Sequence, residues 1–200
     1  MKICFIMCHT GEEFGILTDT QYARHFGYEQ SYCKAMTDQG WDVTLIILSH
    51  RPGIVHFRHI FGHRIIRVPV SLSFGVSRQL SIELFRILKT ELGDADIIHI
   101  NSFYALLYEP LALFLKFTNR KFVVQSQSSH YSLKNPLHIA RLCILLFSLR
   151  LPNKILTVNP LEYNMLIKKY KLVKALPFPN GVDTSTFNNL HLERKPNSLL

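Results

Sequence analysis

The chain has 200 residues, 48% of them apolar and 18% charged, which is globular in composition and sufficient for one sizeable core; intrinsic disorder is excluded. The formal net charge is +9, with the excess concentrated where Arg51, Arg58, Arg64, Arg67, Arg78, Arg86 and Lys89 face only Glu83. Such a segment is either a basic surface for anionic partners or a solvated face that confers solubility.

Residues 3–8 are a short apolar run, as expected of a strand buried on both faces. A polar, glycine-containing stretch follows to about Gly27, longer than a minimal strand-to-helix loop and suited to an acceptor pocket or a mobile flap. Residues 29–39 carry helical spacing through Tyr32, Ala35 and Met36, with Gly40 as the stop. Residues 41–48 and 63–70 read as buried strands. Leu80, Leu84, Phe85, Ile87 and Leu88 mark an amphipathic helix that closes before Gly93. Strand 96–100 precedes a helix over 104–117, with Pro110 as the place for a kink. Strand 121–125, helix 136–151 and strand 154–158 follow. Asn159, Pro160 and Glu162 read as N-cap, N1 and N3 of a helix to about Tyr170. Residues 175–178 form a last short strand before the turn Pro179-Asn180-Gly181.

Strands and helices alternate throughout, so the expected fold class is α/β: a doubly wound, Rossmann-like parallel sheet. Ligands in such sheets sit at the carboxyl ends of the strands, where the strand order reverses. Strand one is followed by no GxGxxG, since Gly11, Gly15 and Gly27 are too scattered, which disfavours a nicotinamide enzyme. The absence of a Walker A lysine disfavours a P-loop NTPase.

Cys4, Cys8, Cys33 and Cys143 have no CxxC spacing and read as free thiols of a reducing compartment. The apolar start is too short for a signal-peptide core. The greasiest stretches, 106–117 and 137–151, fall short of the ~20 residues that span a bilayer. A cytoplasmic location follows, with peripheral contact at the inner face of the membrane left open by the basic segment and by helix 136–151, whose polar stripe is only His138, Arg141 and Ser148.

His56, His59 and His63 have spacing that could suit a metal, but the interleaved Arg58 and Arg64 oppose a cation there. A basic loop facing an anionic acceptor or a membrane is the preferred reading. His99, between Ile98 and Ile100, reads first as a core histidine; Asn101 and Ser102 at the strand's end are better placed to touch a ligand.

Several segments together resemble the glycosyltransferases of family 4, which have the GT-B fold. Phe26-Gly27-Tyr28-Glu29, then Lys34-Ala35-Met36 and Gln39-Gly40-Trp41-Asp42-Val43-Thr44-Leu45, resemble the family's opening. Asp94-Ala95-Asp96-Ile97-Ile98-His99-Ile100 and Lys154-Ile155-Leu156-Thr157-Val158-Asn159 resemble two later strands. Pro179-Asn180-Gly181-Val182-Asp183, with Phe187 four residues on, is similar to the most specific motif.

The resemblance implies the N-terminal, acceptor-side domain of a retaining enzyme that transfers a sugar from a nucleotide-sugar donor to an acceptor hydroxyl. Products would be polysaccharide, glycolipid or lipid-linked oligosaccharide. It implies no metal or other cofactor, no nucleic-acid partner, and a separate C-terminal domain that holds most of the donor. Residues 1–190 would form the first domain and 191–200 the linker toward the second. Gly27 would sit near the donor phosphate, although Phe26 stands where the family usually has a first glycine. Asn101 and Gln127 would contact the acceptor. A family histidine near the reacting carbon falls by register at Ser128 or at Gln127, and His130 could reach the same space, so Ser128 and His130 carry the catalytic expectation. Glu29 could brace the first helix or contact ligand. Two other readings stand beside this one: a stand-alone acceptor-binding module or subunit that pairs with a separate donor domain, and an unrelated Rossmann-type nucleotide binder.

Overall fold

The computed structural model describes residues 1–75, 78–126 and 136–178. The motif at 179–183, Phe187, the linker, and Gln127, Ser128 and His130 lie outside the described residues.

Strand β1 (Lys2–Thr10) lies in the middle of the sheet, paired in parallel with β2 (Asp42–Ser49) on one side and β7 (Ile97–Ile100) on the other. Beyond β2 come β4 (Arg64–Pro69) and β3 (Val55–Arg58). Beyond β7 come β8 (Phe122–Gln125), β9 (Lys154–Thr157) and β10 (Ala175–Pro177). The order is therefore β10-β9-β8-β7-β1-β2-β4-β3, parallel except at β3–β4.

Alternation along each strand divides the core in two. Cys4, Ile6 and Cys8 of β1, with Ile46, Leu48, Ile66, Val68, Ile98 and Ile100, pack under helices α3 (Ile82–Thr90), α4 (Tyr108–Phe117) and α5 (Pro136–Ser148). Ile3, Phe5 and Met7, with Val43, Leu45, Ile47 and Ile65, pack under α1 (Asp19–Arg24) and α2 (Tyr28–Asp38). Cys4, Cys8 and Cys33 are buried free thiols, and burial pushes Cys4 and Cys8 up to about 12. Cys143 is exposed.

Local chemistry sets the helix ends. Thr18 Oγ1 accepts from Gln21 N (3.1 Å) while Gln21 Oε1 accepts from Thr18 N (2.9 Å), a capping box that starts α1. Ser81 Oγ caps α3 at Leu84 N and donates to Pro69 O (2.7 Å). Asn159 Oδ1 accepts from Leu161 N (2.8 Å) at the start of α6 (Pro160–Asn164), which continues as a π turn over Met165–Lys169. Pro110 is the third residue of α4, where its missing N–H has no intrahelical partner to lose, so it causes no kink.

The segment read as a basic loop is instead a hairpin. Val55 and Phe57 are half-buried and His56 and Arg58 exposed, the period-two pattern of an edge strand. His59 and His63 are buried and stacked at 4.5 Å, and His59 Nε2 lies 2.8 Å from His25 O. His56 turns to Glu91 (3.7 Å). Part of the basic segment is paired with acids, while Arg58, Arg78 and Lys89 are exposed. Arg51 and Arg67 both reach Asp19 (2.5 and 3.0 Å), Arg64 pairs with Glu91 (2.9 Å), Arg86 with Glu83 (2.6 Å), and Arg58 donates to Gly62 O (2.8 Å). Among the described residues no helix is long and apolar enough to cross a membrane.

Two buried histidines make a pH prediction. Burial lowers both His63 and His99 to about 4, against about 6.5 in an unfolded chain. Between those values the unfolded state binds more protons, so their contribution to stability is present above about pH 6.5 and is lost as pH falls toward about 4. Glu29, Glu109 and Glu162, raised by burial, act in the opposite sense at acid pH. The expected outcome is therefore differential: the fall in melting temperature from about pH 7 to about pH 5 is smaller in His63→Gln/His99→Gln than in the parent chain. Equal falls would rule out this origin for acid sensitivity.

Candidate functional site

The connection order reverses between β1 and β7, the topological switch point of the sheet. Three segments meet at the carboxyl ends of these strands: the turn Gly11–Phe14 with α1, the start of α2, and residues 101–104.

The start of α2 is joined to the end of β7 by side chains. Tyr28 OH donates to Asn101 Oδ1 (2.9 Å), and Asn101 Nδ2 donates to Glu29 Oε1 (3.1 Å). Glu29 and Asn101 are 8% and 4% exposed. Burial raises the Glu29 carboxyl, and its polar neighbours Tyr28 and Asn101 hold it down in part. Burial, with the adjacent Glu29 second, raises the Tyr28 phenol. Glu29 thus braces the helix against the strand end, and the Asn101 amide is fixed in orientation by partners on both of its ends.

Gly27 lies at the same place. Its N–H donates to Gln30 Oε1 (3.2 Å), and a Cβ built on it would stand 2.8 Å from that oxygen and 3.1 Å from both Glu29 Oε2 and His25 Nε2. Its φ of −120° is ordinary extended backbone. A Cβ here would press on the far ends of these side chains, which would have to shift to admit it. The structure brings Gly27 and Asn101 together through Tyr28 and Glu29.

His99 is a core residue, its ring 4.8 Å from Phe5, with Gln125 as a hydrogen-bonding neighbour that Tyr32 shares. Farther along the same edge, Tyr104 OH donates to Glu162 Oε1, with Ser126 beside that carboxylate. Glu162, Ser126 and Gln125 are buried, and burial raises Glu162.

The stretch before α2 is pinned. Ser49 OH and His50 N (3.2 Å) donate to Glu12 Oε1, Glu13 accepts from Gln79 Nε2 and lies 3.5 Å from His9 Nδ1, and Asp19 holds Arg51 and the buried Arg67. Sequence reasoning missed Tyr28, Gln30 and Gln125. The available signal was polarity at strand ends and at the first turn of a helix that otherwise faces a core.

Asn101→Ala strands the Glu29 carboxylate and the Tyr28 hydroxyl in a buried place, and a loss of about 2 kcal/mol in urea unfolding is expected. Asn101→Asp sets a second carboxylate against Glu29; its stability deficit relative to the parent is expected to shrink on acidification, as one carboxyl takes up a proton. A deficit that does not change with pH would show that Glu29 is not the partner that matters.

Comparison with known proteins fits this geometry. Sucrose-phosphate synthase from Thermosynechococcus elongatus superposes with a TM-score of 0.55 at 14% identity, covering 94% of this chain and 93% of that one. Anabaena HepE in complex with UDP gives 0.55 at 14% identity, over 94% of this chain but 46% of HepE; its complex with UDP and glucose gives 0.53 at 14%, over 92% and 46%. The chain thus spans about half the length of HepE. Among curated protein sequences, none matches the chain. The fold is the doubly wound domain of GT-B glycosyltransferases. The sequence model of glycosyltransferase family 4 matches residues 30–186, from the first turn of α2 to beyond the last strand of the sheet, and the chain belongs to that family.

Proposed function

We propose that this chain is the acceptor-side domain of an enzyme that transfers a sugar from a nucleotide-sugar donor to an acceptor hydroxyl, with retention of configuration. Its place is in the synthesis of polysaccharide, glycolipid or lipid-linked oligosaccharide. The observation that carries this is the bonded cluster of Tyr28, Glu29 and Asn101 at the switch point of a family-4 chain. Preformed polar groups at strand ends suit a reaction whose catalysis is positioning and charge stabilisation of the leaving diphosphate. The UDP and glucose bound by HepE support a nucleotide-sugar donor.

In this reading Ser128 and His130 follow β8 and act at the reacting sugar, Gln127 and Asn101 orient the acceptor, and Gly27 lies near the donor. Gln30 already occupies the Gly27 N–H, so a donor phosphate that approaches there displaces or bonds to the Gln30 amide. The reaction uses no metal.

The test uses the native gene product at its full translated length, incubated with UDP-, GDP- and ADP-hexoses and a cell-envelope acceptor fraction. Release of nucleoside diphosphate that persists in EDTA, with a product whose anomeric proton coupling matches the donor, is expected. No release from any donor, or an inverted anomeric centre, overturns the reading. In that protein Ser128→Ala and His130→Ala are each expected to lower turnover about tenfold, the equivalent of one hydrogen bond of about 1.4 kcal/mol. Unchanged turnover removes their assigned roles.

One observation favours a second reading, a module that docks on a separate donor domain or on a membrane. Leu72, Phe74 and Ile82, around the short hairpin β5 (Leu72–Ser73)–β6 (Gln79–Leu80), and Ile144 and Phe147 of α5 are exposed. Ile144 also lines a cavity of about 210 Å³ with Leu80, Leu106, Glu109, Pro110 and Arg141. Apolar surface gathered in this way marks interaction sites.

A further inference from the structure

Beside the switch-point cluster lies a second feature that the family reading does not assign. Between the turn Gly11–Phe14 and α1 runs an open groove of about 530 Å³, in the size range of small-ligand sites, roughly 300–1,000 Å³. Its lining includes Phe14, Ile16, Thr20, Gln21, Arg24 and His25.

The geometry points to this groove as a carbohydrate subsite, in which the glycan portion of the acceptor lies with a ring against Phe14. Phe14 is 61% exposed, and its ring is steadied by an edge contact with His9 at 6.1 Å. An aromatic face carries negative quadrupole charge. It attracts the weakly positive C–H bonds on one face of a pyranose and excludes water from them.

The rest of the lining supplies the other half of sugar recognition, donors for hydroxyl groups. Gln21 Oε1 is committed to Leu17 N (2.7 Å) and Thr18 N (2.9 Å), which orients its amide and leaves the NH₂ free to donate. The Arg24 guanidinium and the Thr20 hydroxyl have no partner among the described residues. Arg24 brings five donors in a planar fork, the geometry that spans neighbouring hydroxyls.

The groove is also preformed. Asp19, the first residue of α1, is held by Arg51 and Arg67, and Ile16 N bonds to Gly11 O (2.9 Å). The ordering cost left to a ligand then lies in exposed side chains such as Arg24 rather than in the backbone. One end of the groove reaches the switch point, because His25 lines it and also stands against Gly27. A glycan lying in it would present its terminal sugar to the cluster of Tyr28, Glu29 and Asn101. The identity of this glycan as the acceptor rests on the proposed glycosyl transfer; the binding of sugar by the groove does not.

The experiment is saturation-transfer NMR on this chain with methyl glycosides of the common hexoses, N-acetylhexosamines and hexuronic acids at millimolar concentration. Saturation is expected on the ring C–H protons of at least one glycoside. It should fall severalfold in Phe14→Ala, which removes the platform, and in Thr20→Trp, which fills the groove. Both positions are exposed, so both variants are expected to keep the parent's melting temperature. If no glycoside receives saturation, or if transfer persists undiminished in both folded variants, the proposal is overturned. Assay of the full-length protein separates the two readings. Sugar transfer with an unchanged acceptor KM in Phe14→Ala sinks the groove and leaves the enzyme standing. Phe14-dependent glycoside binding without turnover of any donor does the reverse.

Discussion

The parallel pairing of β1 between β2 and β7 is the constraint from which the rest of the molecule follows. A strand with neighbours on both sides and helices on both faces has no solvent-facing side, so six consecutive residues from Ile3 to Cys8 are apolar and buried. The same strand is where the chain, having built outward through β2 and β4, crosses back to build outward through β7 and β8. Connections on the two sides of β1 leave in opposite directions, and the space between them at the carboxyl ends is where side chains from distant segments meet. Tyr28 and Asn101 are 73 residues apart and hydrogen-bonded for this reason.

The two faces of the sheet differ in kind. The face under α3, α4 and α5 is mostly apolar, with the buried Thr44 of β2 in line with Ile46 and Leu48. The opposite face, under α1 and α2, admits Arg67 on β4, His99 on β7 and Gln125 on β8. Each has a named partner: Asp19 for Arg67, and a shared neighbourhood with Tyr32 for His99 and Gln125. Arg67 is the costliest of the three to bury, since an unpaired buried charge is worse than any apolar substitute. Its guanidinium is met by Asp19 and by the backbone carbonyls of Arg51 and Pro52 (3.0 and 3.3 Å), which fastens α1 over the ends of β2 and β4. The turn and helix beyond β1 therefore form a rigid rim.

Most of this architecture was legible in the chain itself because apolar runs and alternation are local signals. The seven strands expected on those grounds, and the helices under α2, α3, α4 and α5, stand where residue patterns place them. Three of the features that were not legible each have a physical reason. The strand Val55–Arg58 is short, half-exposed and rich in cations, and what makes it a strand is its antiparallel partner Arg64–Pro69. Helix Asp19–Arg24 is too short for periodicity to register; its capping box, Thr18 with Gln21, was the local trace of it. The charges of the basic segment looked unmatched because their acids, Glu12, Asp19 and Glu91, lie elsewhere in sequence. Of the candidate site, Gly27 and Asn101 were recognisable as residue types at loop positions, whereas the bonds that unite them through Tyr28 and Glu29 are products of topology.

Those bonds also divide the labour at the carboxyl edge. The Asn101 side chain is engaged at both ends, the Gly27 N–H is taken by Gln30, and Glu29 and Glu162 each accept a bond in a buried setting. Groups so committed cannot grip a ligand tightly without giving up a partner of nearly equal worth, a few tenths to about 1.5 kcal/mol for a neutral hydrogen bond. They can hold a surface in one shape. Free recognition capacity lies instead at the margin of the cluster, where Phe14 and Arg24 have unspent surface and charge. In the proposed sugar transfer, a rigid centre with an adhesive margin would place the reacting hydroxyl while binding energy comes from parts of the acceptor that do not react.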